Sequence, residues 1–233
     1  MILRLTLFAA MCVGFSAVTL AQGVPSGNAT EETYLRWSVS QADGIGNSTN
    51  ENGKVGHGWD GRFLKTEQAI NFKIRATWFT PEVIRASARH VQFRSRLSDD
   101  ETRGLVQEAE KAGDTVIMIE IDPNEGSGVI PSDWEAFLQP KRASLNSSRA
   151  AVRGVDTPDL RKVQALQGVT QRNYDYDRFW MAFPLVRSDG KPLFPDCATE
   201  AELVVRIRDK EGKVTWRVPG SICQRSSMLG KAN

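Results

Sequence analysis

Residues 69–78, AINFKIRATW, set Ile70, Phe72, Ile74, Ala76 and Trp78 on one side of an extended chain and Asn71, Lys73, Arg75 and Thr77 on the other, because successive side chains of a strand point to opposite faces. The chain must therefore supply a core against one face of this strand and water or polar partners on the other. Directly after it, Thr80-Pro81-Glu82 gives an N-cap, a proline at the first helical position and an acid in the first turn, which predicts a helix start. The segment that follows, HVQFRSRL at 90–97, fits either the tail of that helix or a strand alternating at Val91, Phe93 and Leu97.

Further along, Ser98-Asp99-Asp100-Glu101 is a capping box that predicts a second helix through Ala112, with Gly113 as its stop. TVIMIEI at 115–121 is apolar on both faces from Val116 to Ile119 and predicts a strand inside a sheet. Ser132-Asp133-Trp134-Glu135 has the form of another capping box and predicts a short helix to about Leu138. YDYDRFWMAFPL, from Tyr174, ends in a second interior strand. YLRWSVS at 34–40, with Leu35, Trp37 and Val39 alternating, reads as a strand with one wet face, and residues 43–61, rich in glycine and asparagine, read as a long loop.

At the C-terminal end, LVVRIR and KVTWRV flank Asp209-Lys210-Glu211-Gly212. Taken as a four-residue turn, this pairs Ile207 with Val214, Val205 with Trp216 and Leu203 with Val218, and it carries Cys197 to within one position of Cys223. Strands and helices do not alternate regularly, so the expected fold is α+β: a mainly antiparallel, possibly two-layered sheet, two or three helices and a C-terminal hairpin clamped by a Cys197–Cys223 disulfide.

The first 21 residues hold one positive charge at Arg4, an uncharged apolar run from Leu5 to Leu20 and small residues at the end, the layout of a secretory signal peptide. Residues 22–33 are expected to be a loose arm, 34–225 one globular domain and 226–233 a flexible tail. Export to an oxidising compartment makes a disulfide between the two remaining cysteines the natural outcome. No later stretch is long enough to cross a membrane. Lysine and arginine number 30 against 28 acids, and that balance does not suggest nucleic acid as a partner.

GHGWDG at 56–61 carries the glycine spacing of a dinucleotide fingerprint. That fingerprint needs a buried strand before it and a helix after it, and the preceding NSTNENGKV is too polar to provide the strand. The loop instead offers Trp59 as an anchor, with His57 and Asp60 as a weak metal or acid–base pair lacking a third partner in sequence. His90 reads as a structural histidine. Ser127, in EGSGV, lacks the first glycine of a nucleophile elbow, and Asp122-Pro123-Asn124-Glu125-Gly126 begins like a calcium loop and then lacks its later ligands.

Asp175 and Asp177 share one face of a strand, as a carboxylate pair would, and Tyr174 and Tyr176 share the opposite face as core or as a stacking surface. The basic stretch 141–172 reads as a solvated connection with some helix after Thr157-Pro158. Asn28, Asn47 and Asn146 begin N-x-S/T triplets. With no complete catalytic constellation and no cofactor or metal motif, the expected protein is a secreted or periplasmic non-catalytic binding module of the cell envelope, with a binding surface drawn from His57, Trp59, Asp60, Tyr174 and Tyr176. The alternative is a secreted hydrolase acting on envelope polymer through such carboxylates or a His57/Asp60 site.

Overall fold

A computed structural model describes residues 32–56, 72–113, 115–122, 130–141, 151–169, 176–195 and 200–230. Nine strands form one antiparallel sheet: β1 Asn50–Val55, β2 Phe72–Phe79, β3 Thr115–Asp122, β4 Glu135–Pro140, β5 Val152–Arg153, β6 Val155–Asp156, β7 Asp177–Phe183, β8 Glu200–Ile207 and β9 Lys210–Arg217. The described α-helices are α1 Val39–Gly46, α2 Pro81–Ser95, α3 Asp99–Glu110 and α4 Gly220–Leu229. The fold is mixed α+β. A second sheet layer is not what these strands make, because all nine belong to one order, β5-β4-β8-β9-β1-β2-β3-β7-β6.

The two ends of that order are consecutive pieces of one segment. β5 pairs with β4, β6 pairs with β7, and between them Gly154 donates its N–H to the Ala136 carbonyl at 2.9 Å. The sheet therefore curls nearly into a barrel with its seam at Gly154. A side chain there would meet the Phe183 ring at 2.7 Å, so the closure needs a glycine. The basic stretch expected as a solvated connection thus contributes edge strands within its described part, followed by a 3₁₀ helix at Pro158–Lys162.

Curling the sheet creates two cores. Inside, Phe72, Ile74, Ala76 and Trp78 of β2 meet Ile117, Ile119 and Ile121 of β3, Leu203 and Val205 of β8 and Val214 and Trp216 of β9. The inward set of β2 is the one its alternation predicts. Outside, α2 and α3 cover Phe79, Val116, Met118 and Trp180 with Val83, Ile84, Ala88, Val106 and Ala109. Both helices start where their caps predict, with Thr80 Oγ1 accepting from Val83 N–H and Ser98 forming a reciprocal box with Glu101. Donation from the Ser98 N–H and hydroxyl holds the Glu101 carboxyl below its usual pKa. HVQFRSRL belongs mostly to α2, which runs through Ser95 and ends with Arg96 in the left-handed region at φ 54°.

Several expectations are corrected. YLRWSVS is not a strand: a 3₁₀ helix spans Glu32–Arg36, and Ser38 caps α1. The expected loop 43–61 contains the end of α1 and all of β1. Ser132 opens no helix; β4 begins at Glu135 and buries Ala136, Leu138 and Pro140 at a period of two.

The C-terminal hairpin turns at Arg208 and Asp209, pairing Ile207 with Lys210, Leu203 with Val214 and Ala201 with Trp216. The inward faces are those expected, while the register differs by four positions. Gly212 is the cause: it is a strand residue rather than a turn residue, opposite Val55 of β1, where a Cβ would stand 2.4 Å from the Lys54 carbonyl oxygen. Cys223 then falls on α4, fully buried, instead of on a strand extension, and Cys197 lies outside the described residues. α4 also occupies the start of the expected tail, with Ser226 buried and accepting from Phe194 N–H.

Candidate functional site

Along the outer face of the sheet, side chains change character where the helices stop. On β2 the outward residues run Phe79, Thr77, Arg75, Lys73; on β3 they run Val116, Met118, Glu120, Asp122; on β7 they run Trp180 and then Arg178. Apolar residues lie under α2 and α3, and polar ones lie beyond them. At this border sits a cleft of about 220 Å³.

Its floor is the cross-strand grid Asn50–Thr77–Met118 with Arg75 and Glu120 alongside, and directly opposed side chains of this kind lie about 5 Å apart. Its walls come from the end of α1, at Gly46 and Asn47, and from Val169. Close backbone approach builds that wall. Val169 N–H donates to Ser87 Oγ on α2 at 3.2 Å, and a Cβ on Gly46 would collide with Val169 Cγ1 at 2.2 Å. Asn47 donates its amide to the Asp43 carbonyl at 2.9 Å and so ends α1 beside the cleft.

The charged centre is a row of three. Glu120 is 2% exposed; its Oε2 accepts from Arg75 Nε at 2.6 Å, and its Oε1 accepts from Arg178 Nη2 at 2.9 Å. Two guanidinium groups thus satisfy one buried carboxylate. Arg75 is further held by Tyr176, with Cζ 5.1 Å from the ring centroid, a cation–π contact. In the same cleft the Asn50 Oδ1 is buried without a hydrogen-bond partner.

Of the binding residues read from sequence, Tyr176 is brought to this site, as the support under Arg75. His57, Trp59, Asp60 and Tyr174 lie outside the described residues, as do Asp175 and Ser127. Asp177 is exposed at the start of β7, opposite Ile121. Asp122 is buried at the end of β3, opposite Lys73. His90 bridges two helices, its Nε2 3.0 Å from Asp43 Oδ1.

β1 leads directly into Gly56, the first of the fingerprint glycines. β1 pairs antiparallel with both neighbours, however, whereas dinucleotide binding of that type uses a parallel βαβ unit. Among the described residues no cluster of three or more His, Cys, Asp or Glu is placed to hold a metal ion, and no helix is long and apolar enough to cross a membrane.

Asn50, Thr77, Arg75, Glu120 and Arg178 were not singled out from sequence. The wet face of β2 announced Arg75 and Thr77; nothing local joined them to Glu120. Comparison with known proteins finds no matching family model, no matching curated protein and no matching solved structure.

Proposed function

We propose that the chain is an exported, non-catalytic binding module of the cell envelope and that its ligand enters the cleft over β1, β2 and β3. The observation that carries this reading is the contrast between the two surfaces of the sheet. The inner surface is filled by close-packed apolar side chains, whereas the outer one holds a small concave site lined largely by polar groups, the kind of group that fixes the orientation of a bound ligand. Arg75 and Glu120 neutralise one another and are held at both ends, an arrangement suited to recognition.

The test is an NMR titration of the isotope-labelled mature chain with fractionated soluble envelope material. Resonances of Asn47, Asn50, Arg75 and Thr77 are expected to shift together, and the bound fraction is expected to be recovered chemically unchanged. Turnover of the material would move the assignment to the hydrolase class. Shifts confined to other faces would remove the cleft from the reading.

Export also bears on the cysteines. We place a disulfide between Cys197 and Cys223, since both flank the β8–β9 hairpin and the leader directs the chain to an oxidising compartment. In the chain-entropy description such a loop stabilises by roughly 3.5 kcal/mol. Thiol labelling of the denatured, unreduced mature chain is expected to find no reactive cysteine. Two reactive thiols per chain would refute the bridge.

A further inference from the structure

We infer that residues 151–157 form a strap that opens and recloses as a unit of its own while the rest of the sheet stays folded. A curled sheet hides its strand edges only as long as its last joint holds, and here that joint is short. β5 pairs with β4 over two residues and β6 pairs with β7 over two, against seven register pairs between β2 and β3. On one side of the joint the Gly154 N–H donates to the Ala136 carbonyl at 2.9 Å. On the other the Thr157 N–H donates to the Trp180 carbonyl at 2.8 Å.

Little apolar burial backs these bonds. Within 151–157, Val152 is the one apolar side chain that is buried, while Val155 keeps 62% of its surface in water. Gly154 is buried but has no side chain to contribute. The Arg153–Glu135 ion pair, at 2.8 Å, leaves its arginine 68% exposed, and exposed pairs of that kind contribute little. β2, by contrast, buries Phe72, Ile74, Ala76 and Trp78 in the interior. Segments with short ladders and few buried apolar contacts open well below the free energy of global unfolding.

The strap has a firm tether on its C-terminal side. The 3₁₀ helix Pro158–Lys162 follows directly, and Leu160, Ala165 and Leu166 are buried in the outer core with residues of α2 and α3. Opening therefore stops at that helix and leaves the outer core in place. It takes the strap's donors away from the Ala136 and Trp180 carbonyls and uncovers Phe183 and Met181, which Gly154 approaches closely. The edges of β4 and β7 are then unpaired, the state in which a sheet takes up an added strand. Reclosing hides both edges at once.

Native-state hydrogen exchange on the isotope-labelled protein tests this, with Ile119→Val and Gly154→Ala beside the unaltered chain. In the unaltered chain the Gly154 and Thr157 amides are expected to exchange at least about a hundredfold faster than those of Ala76 and Ile117, with little dependence on denaturant, as a local opening requires. Ile119 is fully buried in the interior. Its truncation to valine is expected to speed the Ala76 and Ile117 amides about fivefold and to leave the strap amides unchanged, because the strap opens with that core intact. Gly154→Ala sets a methyl 2.7 Å from Phe183 Cζ and is expected to remove protection from the strap amides while Ala76 and Ile117 stay protected.

Strap amides that exchange together with those of β2 and β3 in the unaltered chain would overturn the inference. So would an Ile119→Val effect of equal size on both sets, since it would place the strap in the same cooperative unit as the core. A Gly154→Ala chain that loses protection throughout the sheet, or does not fold, would show that the sheet cannot stand with its strap open and would overturn it as well.

Discussion

Trp78→Ala is expected to lower the stability of the protein by about 3–5 kcal/mol, the usual cost of truncating a fully buried tryptophan. Trp78 has no exposed surface and lies at the middle of the interior, its ring 6.0 Å from Phe194 and 5.6 Å from Trp216. Those contacts tie β2 to the C-terminal hairpin and to the segment before it. Its indole N–H donates to the hydroxyl of buried Thr115, so truncation also strands a polar group, which itself costs about 1–3 kcal/mol. Trp78→Phe keeps most of the ring and loses the donor, and should fall well short of the alanine effect. Denaturant unfolding measures both, as a lower midpoint at unchanged slope. A Trp78→Ala change below about 1 kcal/mol would contradict a close-packed interior.

The strands and helices legible in the sequence are those whose signal is local and uncontested. The β2 alternation, the Thr80 and Ser98 caps and the apolar runs of β3 and β7 each lie within a dozen residues. Ser98 and Ser132 show where such signals divide. Both begin Ser-x-x-Glu, but after Ser98 the buried residues are Thr102, Val106 and Ala109, at helical spacing, while after Ser132 they are Ala136, Leu138 and Pro140, at strand spacing. The cap motif suggests a helix, and the burial period decides.

Near the N-terminus two local signals compete, and the cap prevails. Leu35, Trp37 and Val39 alternate, yet Ser38-x-x-Gln41 is also a capping box and forms α1. In the hairpin, Gly212 looked like turn chemistry because a glycine permits turns. Its actual reason, a backbone approach from β1, arises some 160 residues away in sequence and is invisible locally.

The site was less legible for the same reason. Glu120 sits in a run that reads as apolar, and its partners Arg75 and Arg178 are 45 and 58 residues away in sequence. Only the register of β2 against β3 and of β3 against β7 puts the three side by side. An isolated acid in an apolar strand is nevertheless a usable signal, since a buried carboxylate requires charged partners from neighbouring strands.

Glu120→Ala is expected to lower stability by about 3 kcal/mol. That is the lower end of the cost of breaking a buried ion pair, because the arginine side chains keep 23% and 25% of their surface in water while Glu120 keeps 3%. The loss comes from leaving two guanidinium groups side by side with no acceptor between them. Buried charge networks are seldom the most stable solution, however, and apolar replacements of like volume often match or exceed them. The triple change Arg75→Met, Glu120→Leu, Arg178→Met is therefore expected to recover most of the stability lost in Glu120→Ala. It should also abolish the cleft's response to the envelope fraction. A row retained for folding would instead leave the triple variant as unstable as the single one, whereas a row retained for recognition separates the two readouts, with normal unfolding and no binding. Denaturant midpoints and NMR titrations on the same three proteins decide between them.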